Sequence, residues 1–116
     1  MNLSITNHSG YTLAETEGHF DESVRDIFRE QLHPIVGERG SKLIIDLSSS
    51  TRINSQGLGH LVTLVVHANT NGSRVLLCCV PPFLAMVFSA SKLDTFFQIL
   101  PTVEDAVAGL GEPQSA

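Results

Sequence analysis

The sequence predicts a single α/β domain: a mainly parallel sheet of about four to five strands with an N-terminal hairpin, packed by about four helices. Two apolar runs without alternation, Leu43-Ile44-Ile45 and Val75 to Val80, read as strands covered on both faces. Segments with apolar residues at the i, i+3, i+4 spacing of a helix stand before, between and after them, which calls for right-handed crossovers and parallel pairing. With 116 residues and 42% hydrophobic content, the chain has material for one core and no second.

Taken in order, Asn2 to Glu17 alternates weakly through Leu3, Ile5, Tyr11 and Leu13, with Ser9-Gly10 as turn chemistry, and predicts the hairpin. Asp21 is the expected cap of a first helix whose Val24, Ile27, Phe28, Leu32, Ile35 and Val36 share a face. Pro34 crowds its last turn and predicts an end or a bend. Lys42 to Leu47 is a buried strand, and Ser48 to Asn54 a polar loop. A second helix opens at Ser55, carries Leu58, Leu61, Val62, Val65 and Ala68 on one face, and stops at Asn71-Gly72. Arg74 to Val80 is the next buried strand. Pro82, at a first helical position, opens a third helix containing Leu84, Met86, Val87 and Phe88. A short strand over Phe96 to Leu100 precedes a last helix, started by a capping box of Thr102 and Asp105 and carrying Val103, Ala106, Val107 and Leu110. The domain spans residues 1–111, and 112–116 form a flexible tail.

Composition narrows the function. The longest apolar run is far short of the roughly 20 residues that cross a bilayer, so no membrane insertion is expected. No signal peptide pattern opens the chain, and adjacent Cys78 and Cys79 inside a strand read as reduced thiols; the expected location is the cytoplasm. A net charge of −5 without a basic cluster speaks against nucleic acid. His60 and His67 share a helix face, but without a third ligand they do not make a metal site. No Gly-x-Ser-x-Gly elbow or base and acid converging on Ser55 is evident, so the expected catalytic set is none, and no cofactor fingerprint appears.

In an open α/β sheet, functional groups collect beyond the carboxyl ends of the strands, which points to Asp46 through Gly59. Ser55 stands at the expected N-cap of the second helix, so its hydroxyl has a purely structural role open to it. Gly57 and Gly59 in the first turns each weaken a helix by roughly 1 kcal/mol and bare the backbone around Ser55, as a partner's close approach or a phosphate would require. The residues alone leave cap and functional serine both open. Phe83 and Met86 read as core positions that could instead extend an apolar docking patch beside Ser55.

Asp46-Leu47-Ser48 followed by Ile53-Asn54-Ser55-Gln56-Gly57-Leu58-Gly59-His60-Leu61 resembles the signature of the STAS domain, the family of bacterial anti-sigma factor antagonists. The resemblance extends to Gly18-His19-Phe20-Asp21 and to Phe97-Gln98-Ile99-Leu100 with Val103-Glu104-Asp105-Ala106. It implies a cytoplasmic signalling protein, not an enzyme, that binds an anti-sigma factor which is also a serine kinase, and whose binding is switched off by phosphorylation at Ser55, with a phosphatase as a possible further partner. The implied partner surface comprises Asp21, Asn54, Ser55, Gln56, Gly57, Leu58 and Phe83. Ser50 and Arg52 depart from commonly apolar positions, Asn54 from an acid and Gln56 from a hydroxyl residue. Two other readings accompany this one: a STAS interaction module of a different signalling or lipid-transport complex without phosphorylation, and a small-ligand or nucleotide sensor.

Overall fold

The computed structural model describes residues 1–110; the expected tail at 112–116 and the last residue of the expected domain lie outside the described residues. Its sheet has five strands in chain order: β1 (Asn2–His8), β2 (Tyr11–Phe20), β3 (Lys42–Ile53), β4 (Arg74–Cys78) and β5 (Gln98–Leu100). β1 and β2 form the antiparallel hairpin, closed at Gly10 with φ +89°, and all later pairings are parallel. The helices are α1 (Val24–Gln31), α2 (His33–Val36), α3 (Ser55–Thr70), α4 (Pro82–Ala90) and α5 (Val103–Leu110). α1 and α2 are one helical region broken at Leu32, because Pro34 lacks the N–H that would continue the ladder.

One core face joins Ala14, Leu43, Ile45 and Leu47 of the strands to Phe28, Leu61, Leu64, Leu84 and Phe88 of α1, α3 and α4. On the other face Ile44, Leu76 and Cys78 pack against Ala106 and Leu110 of α5. Alternate residues of β3 and β4 therefore feed two layers, which is why Leu43-Ile44-Ile45 shows no polar alternation. Thr102 caps α5 as expected, the Asp105 amide donating to Thr102 Oγ1 at 3.1 Å, but the return bond of a full capping box is replaced by the Thr102 hydroxyl donating to Asp105 Oδ2 at 3.0 Å.

Several expectations need correction. Ser48 to Ile53 is not a loop but the second half of β3, paired with Glu17 through Phe20 across two register shifts. Backbone pairing is indifferent to the polarity of the side chains, and the lengthened β2 supplies the partner. The strand after α3 ends at Cys78, since Cys79 adopts φ +57°. Both thiols are free; burial pushes each upward in pKa, so neither is an activated thiolate. The strand before α5 covers only Gln98–Leu100, with Phe97 buried just ahead of it. Phe83 and Met86 are not core residues: they are 37% and 73% exposed, while Leu84 and Phe88 fill the interior.

Candidate functional site

The carboxyl ends of β2 and β3 lie side by side, with Phe20 opposite Ile53, and both chains leave the sheet there. The Asn54 amide donates to the Phe20 carbonyl at 2.9 Å, which fixes the point where α3 departs. Asn54, in extended conformation, is the N-cap: its Oδ1 accepts from the Gly57 amide at 2.9 Å. The expected cap at Ser55 is thus displaced by one residue. Asn and Ser are both good caps, and the anchoring of Asn54 to β2 decides between them.

This shift changes the meaning of Ser55. As the first residue of α3 it is exposed, and its hydroxyl makes no hydrogen bond among the described residues. The amides of Ser55 and Gln56 have no intrahelical acceptor and carry the positive end of a 16-residue helix. A negative charge at this end is favoured electrostatically.

Gly57 has a packing reason for being glycine. A Cβ there would stand 2.0 Å from the Phe20 carbonyl oxygen and 2.8 Å from the Asp21 amide, so the helix start is pressed against the end of β2. Gly59 meets nothing within 4 Å and is exposed, so packing does not account for it. Gln56 is exposed and Leu58 half-buried against the core.

Asp21 does not cap α1 directly. The helix begins at Val24 after Ser23, and Asp21 Oδ1 accepts from the Ser23 hydroxyl and, at 2.9 Å, from the Ser23 amide. These bonds, the side-chain one foremost, hold the Asp21 carboxyl below its usual range and keep it ionised. A cleft of about 300 Å³ beside the start of α3 is lined by His19, Phe20, Asp21, Arg52, Ile53 and Asn54. Phe83, in the first turn of α4, follows β4 at the same carboxyl edge of the sheet. Asp21, Asn54, Ser55 and Gln56 accordingly gather where β2 and β3 end, with Gly57 and Leu58 turned inward, while Phe83 is exposed in the loop-to-helix start after the shorter β4.

Sequence reading missed Glu22. Asn54 Nδ2 donates to Glu22 Oε2 at 3.3 Å, so the same side chain that caps α3 also ties the β2–α1 loop to it. The parallel arrangement of β2 and β3 was the available signal, since it must bring their following loops together. Also missed was the contact of Thr51 Oγ1 with His19 Nδ1 at 2.8 Å across the same two strands. Among the described residues no group of three or more His, Cys, Asp or Glu is placed to hold a metal ion. No described helix is long and apolar enough to cross a membrane.

A compact mixed sheet, helices α1 to α4 on one face, and a glycine-fitted helix start at the carboxyl edge define a small α/β domain of one recognisable class. The STAS domain model matches residues 2–106, and the chain belongs to that family. The fold is similar to that of an anti-sigma factor antagonist from Mycobacterium paratuberculosis, with 20% identity, a TM-score of 0.82, and coverage of 96% of this chain and 94% of that one. The anti-sigma factor antagonist SpoIIAA in its unphosphorylated form matches at 15% identity and TM-score 0.75, covering 97% and 100%. The phosphorylated form of the Bacillus cell fate determinant SpoIIAA matches at 15% identity and TM-score 0.70, covering 94% and 99%.

Proposed function

We propose that this chain is an anti-sigma factor antagonist that binds an anti-sigma factor kinase through the Ser55 end of α3 and is released by phosphorylation of Ser55. The observation that carries the reading is the division of labour at the helix start. Asn54 does the capping, so the Ser55 hydroxyl is exposed and free to be modified without loss of the fold. Asp21, Asn54, Ser55, Gln56 and Phe83 form the exposed contact surface, and Gly57 and Leu58 set its shape. The chain is ligand and substrate; ATP belongs to the partner.

A phosphate adds about −1.5 to −2 charges and three acceptor oxygens. In the free domain the helix dipole tolerates it. In an interface it must be desolvated, and without a partner Arg or Lys it becomes an uncompensated buried charge costing several kcal/mol. At about 1.4 kcal/mol per factor of ten, that is enough to end binding.

Asn54 favours a second reading, an interaction module without phosphorylation, because the residue before the serine carries no charge of its own and the nearby carboxylate is that of Glu22. Mapping the modified residue after incubation with kinase and ATP separates the two. A phosphate on Ser55 is the expected product, and a chain left unmodified supports the second reading. Asn54→Asp, which keeps a capping oxygen, should alter the rate of modification with little change in fold; equal rates remove the argument from charge.

A further inference from the structure

Two arginines and two histidines line a groove where α1 meets α3. Arg25 and Arg29, four residues apart, share one side of α1, and His60 and Thr63, three apart, share one side of α3. With the buried Phe28 and with His33 they line an open groove of about 610 Å³. At the His33 end, His33 Nδ1 and His67 Nδ1 lie 2.7 Å apart and the two rings stack with centroids 4.9 Å apart. Among the described residues the only carboxylate ion-paired with these cations is Asp26, which Arg25 and Arg29 already share at 3.4 and 3.0 Å. A chain of net charge −5 thus places two of its seven Lys and Arg residues and three of its five histidines around one groove.

We propose that this groove docks an acidic segment of a partner protein, its Asp or Glu carboxylates entering between the Arg25–Arg29 row and the His60–His33 wall. Complementarity of charge argues for the occupant. The groove is open along its length with Arg25 and Arg29 one helical turn apart on its α1 side, which suits a pair of carboxylates; small molecules favour enclosed pockets. The charged and titratable groups lining it are Arg25 and Arg29 from α1, His33 from α2 and His60 from α3; Asp26 pairs with both arginines and His67 contacts His33. Desolvation, then His67 and His60, disfavours a proton on His33 in the free domain, and a carboxylate in the groove reverses that balance. Docking therefore takes up protons and tightens as pH falls through the histidine range. His60 lies five residues beyond Ser55, about 7.5 Å along the helix axis, so a partner covering the helix start reaches the groove. The inference does not use modification of Ser55, and it stands or falls apart from it.

The experiment titrates the intact chain with a capped helical peptide of repeating Glu-Ala-Ala-Glu, followed by amide and histidine ring resonances. Saturable shifts confined to Arg25 through His33 and His60 through His67, with affinity rising several-fold between about pH 7.5 and about pH 6.0, are expected. Replacing both arginines, Arg25→Gln with Arg29→Gln, should abolish the shifts while thermal unfolding shows the fold intact; His33→Gln, checked for folding in the same way, should reduce the pH dependence. Absence of saturable shifts, equal binding by the arginine double variant, or shifts centred elsewhere overturns the proposal. Inorganic phosphate at matched ionic strength giving the same shifts with equal affinity also overturns it, assigning the groove to a small oxyanion.

Discussion

The Asn54 side-chain oxygen and the Gly57 amide are joined at 2.9 Å, and this bond, not one from Ser55, closes the first turn of α3. Asn54→Ala should therefore cost about 1 kcal/mol in stability, as loss of a helix cap does. Ser55→Ala should be neutral or stabilise by a few tenths of a kcal/mol, since Ser55 occupies an ordinary first-turn position and Ala is the better helix former. Urea unfolding of the two variants checks the ranking; a larger loss from Ser55→Ala would return the cap to the serine.

The two glycines of the helix start should respond in opposite senses. Gly57→Ala places a methyl 2.0 Å from the Phe20 carbonyl oxygen, a backbone atom that cannot swing away. Overpacking of that kind should cost about 3 kcal/mol or more, by forcing α3 off the end of β2. Gly59→Ala meets open space in a helix and should stabilise by up to about 1 kcal/mol. Thermal melts of both variants are the check, and similar effects would contradict the close approach.

Ser50 is 6% exposed and its hydroxyl is buried without a hydrogen-bond partner. An unsatisfied buried donor costs about 1–3 kcal/mol, so Ser50→Ala should raise stability by about 1 kcal/mol after the small loss of packing. A fall in stability on chemical denaturation would mean that the hydroxyl is satisfied.

The His33–His67 contact carries a pH dependence with a definite sign. Its 2.7 Å Nδ1 to Nδ1 separation needs one N–H and one lone pair, so a second proton on the pair breaks it. Burial, followed by the nearby His67 and His60, lowers the His33 pKa from its usual 6.5. The unfolded chain then binds the proton more readily than the folded one. This contribution is complete above the usual histidine value and is lost as pH falls below it. Unfolding free energy measured from neutral pH downward should decline through this range, and His33→Gln should flatten the decline; an unchanged slope would contradict the assignment.

How much of this was readable in the chain varies element by element. Leu43-Ile44-Ile45 and the apolar face of α3 announced their elements because burial on both faces and helical spacing leave strong local patterns. The polar half of β3 left none: Ser48 to Arg52 is strand only because Glu17 to His19 pair with it. The cap was misplaced by one residue for a similar reason, since the choice between Asn54 and Ser55 rests on the bond from the Asn54 amide to Phe20, 34 positions earlier. Phe83 and Met86 carry core-type side chains on an exposed face, which composition cannot distinguish from interior positions. The partnership of His33 with His67 spans 34 residues and has no sequence signal at all.

Titration of the unmodified and Ser55-phosphorylated chains against the proposed anti-sigma factor kinase decides whether Ser55 is a switch. Both forms should stay folded, the phosphorylated form should bind at least about a hundredfold more weakly, and Ser55→Asp should follow it while Ser55→Ala keeps binding. Equal affinity of the two forms, or modification confined to Ser48, Ser49 or Thr51, would contradict the switch.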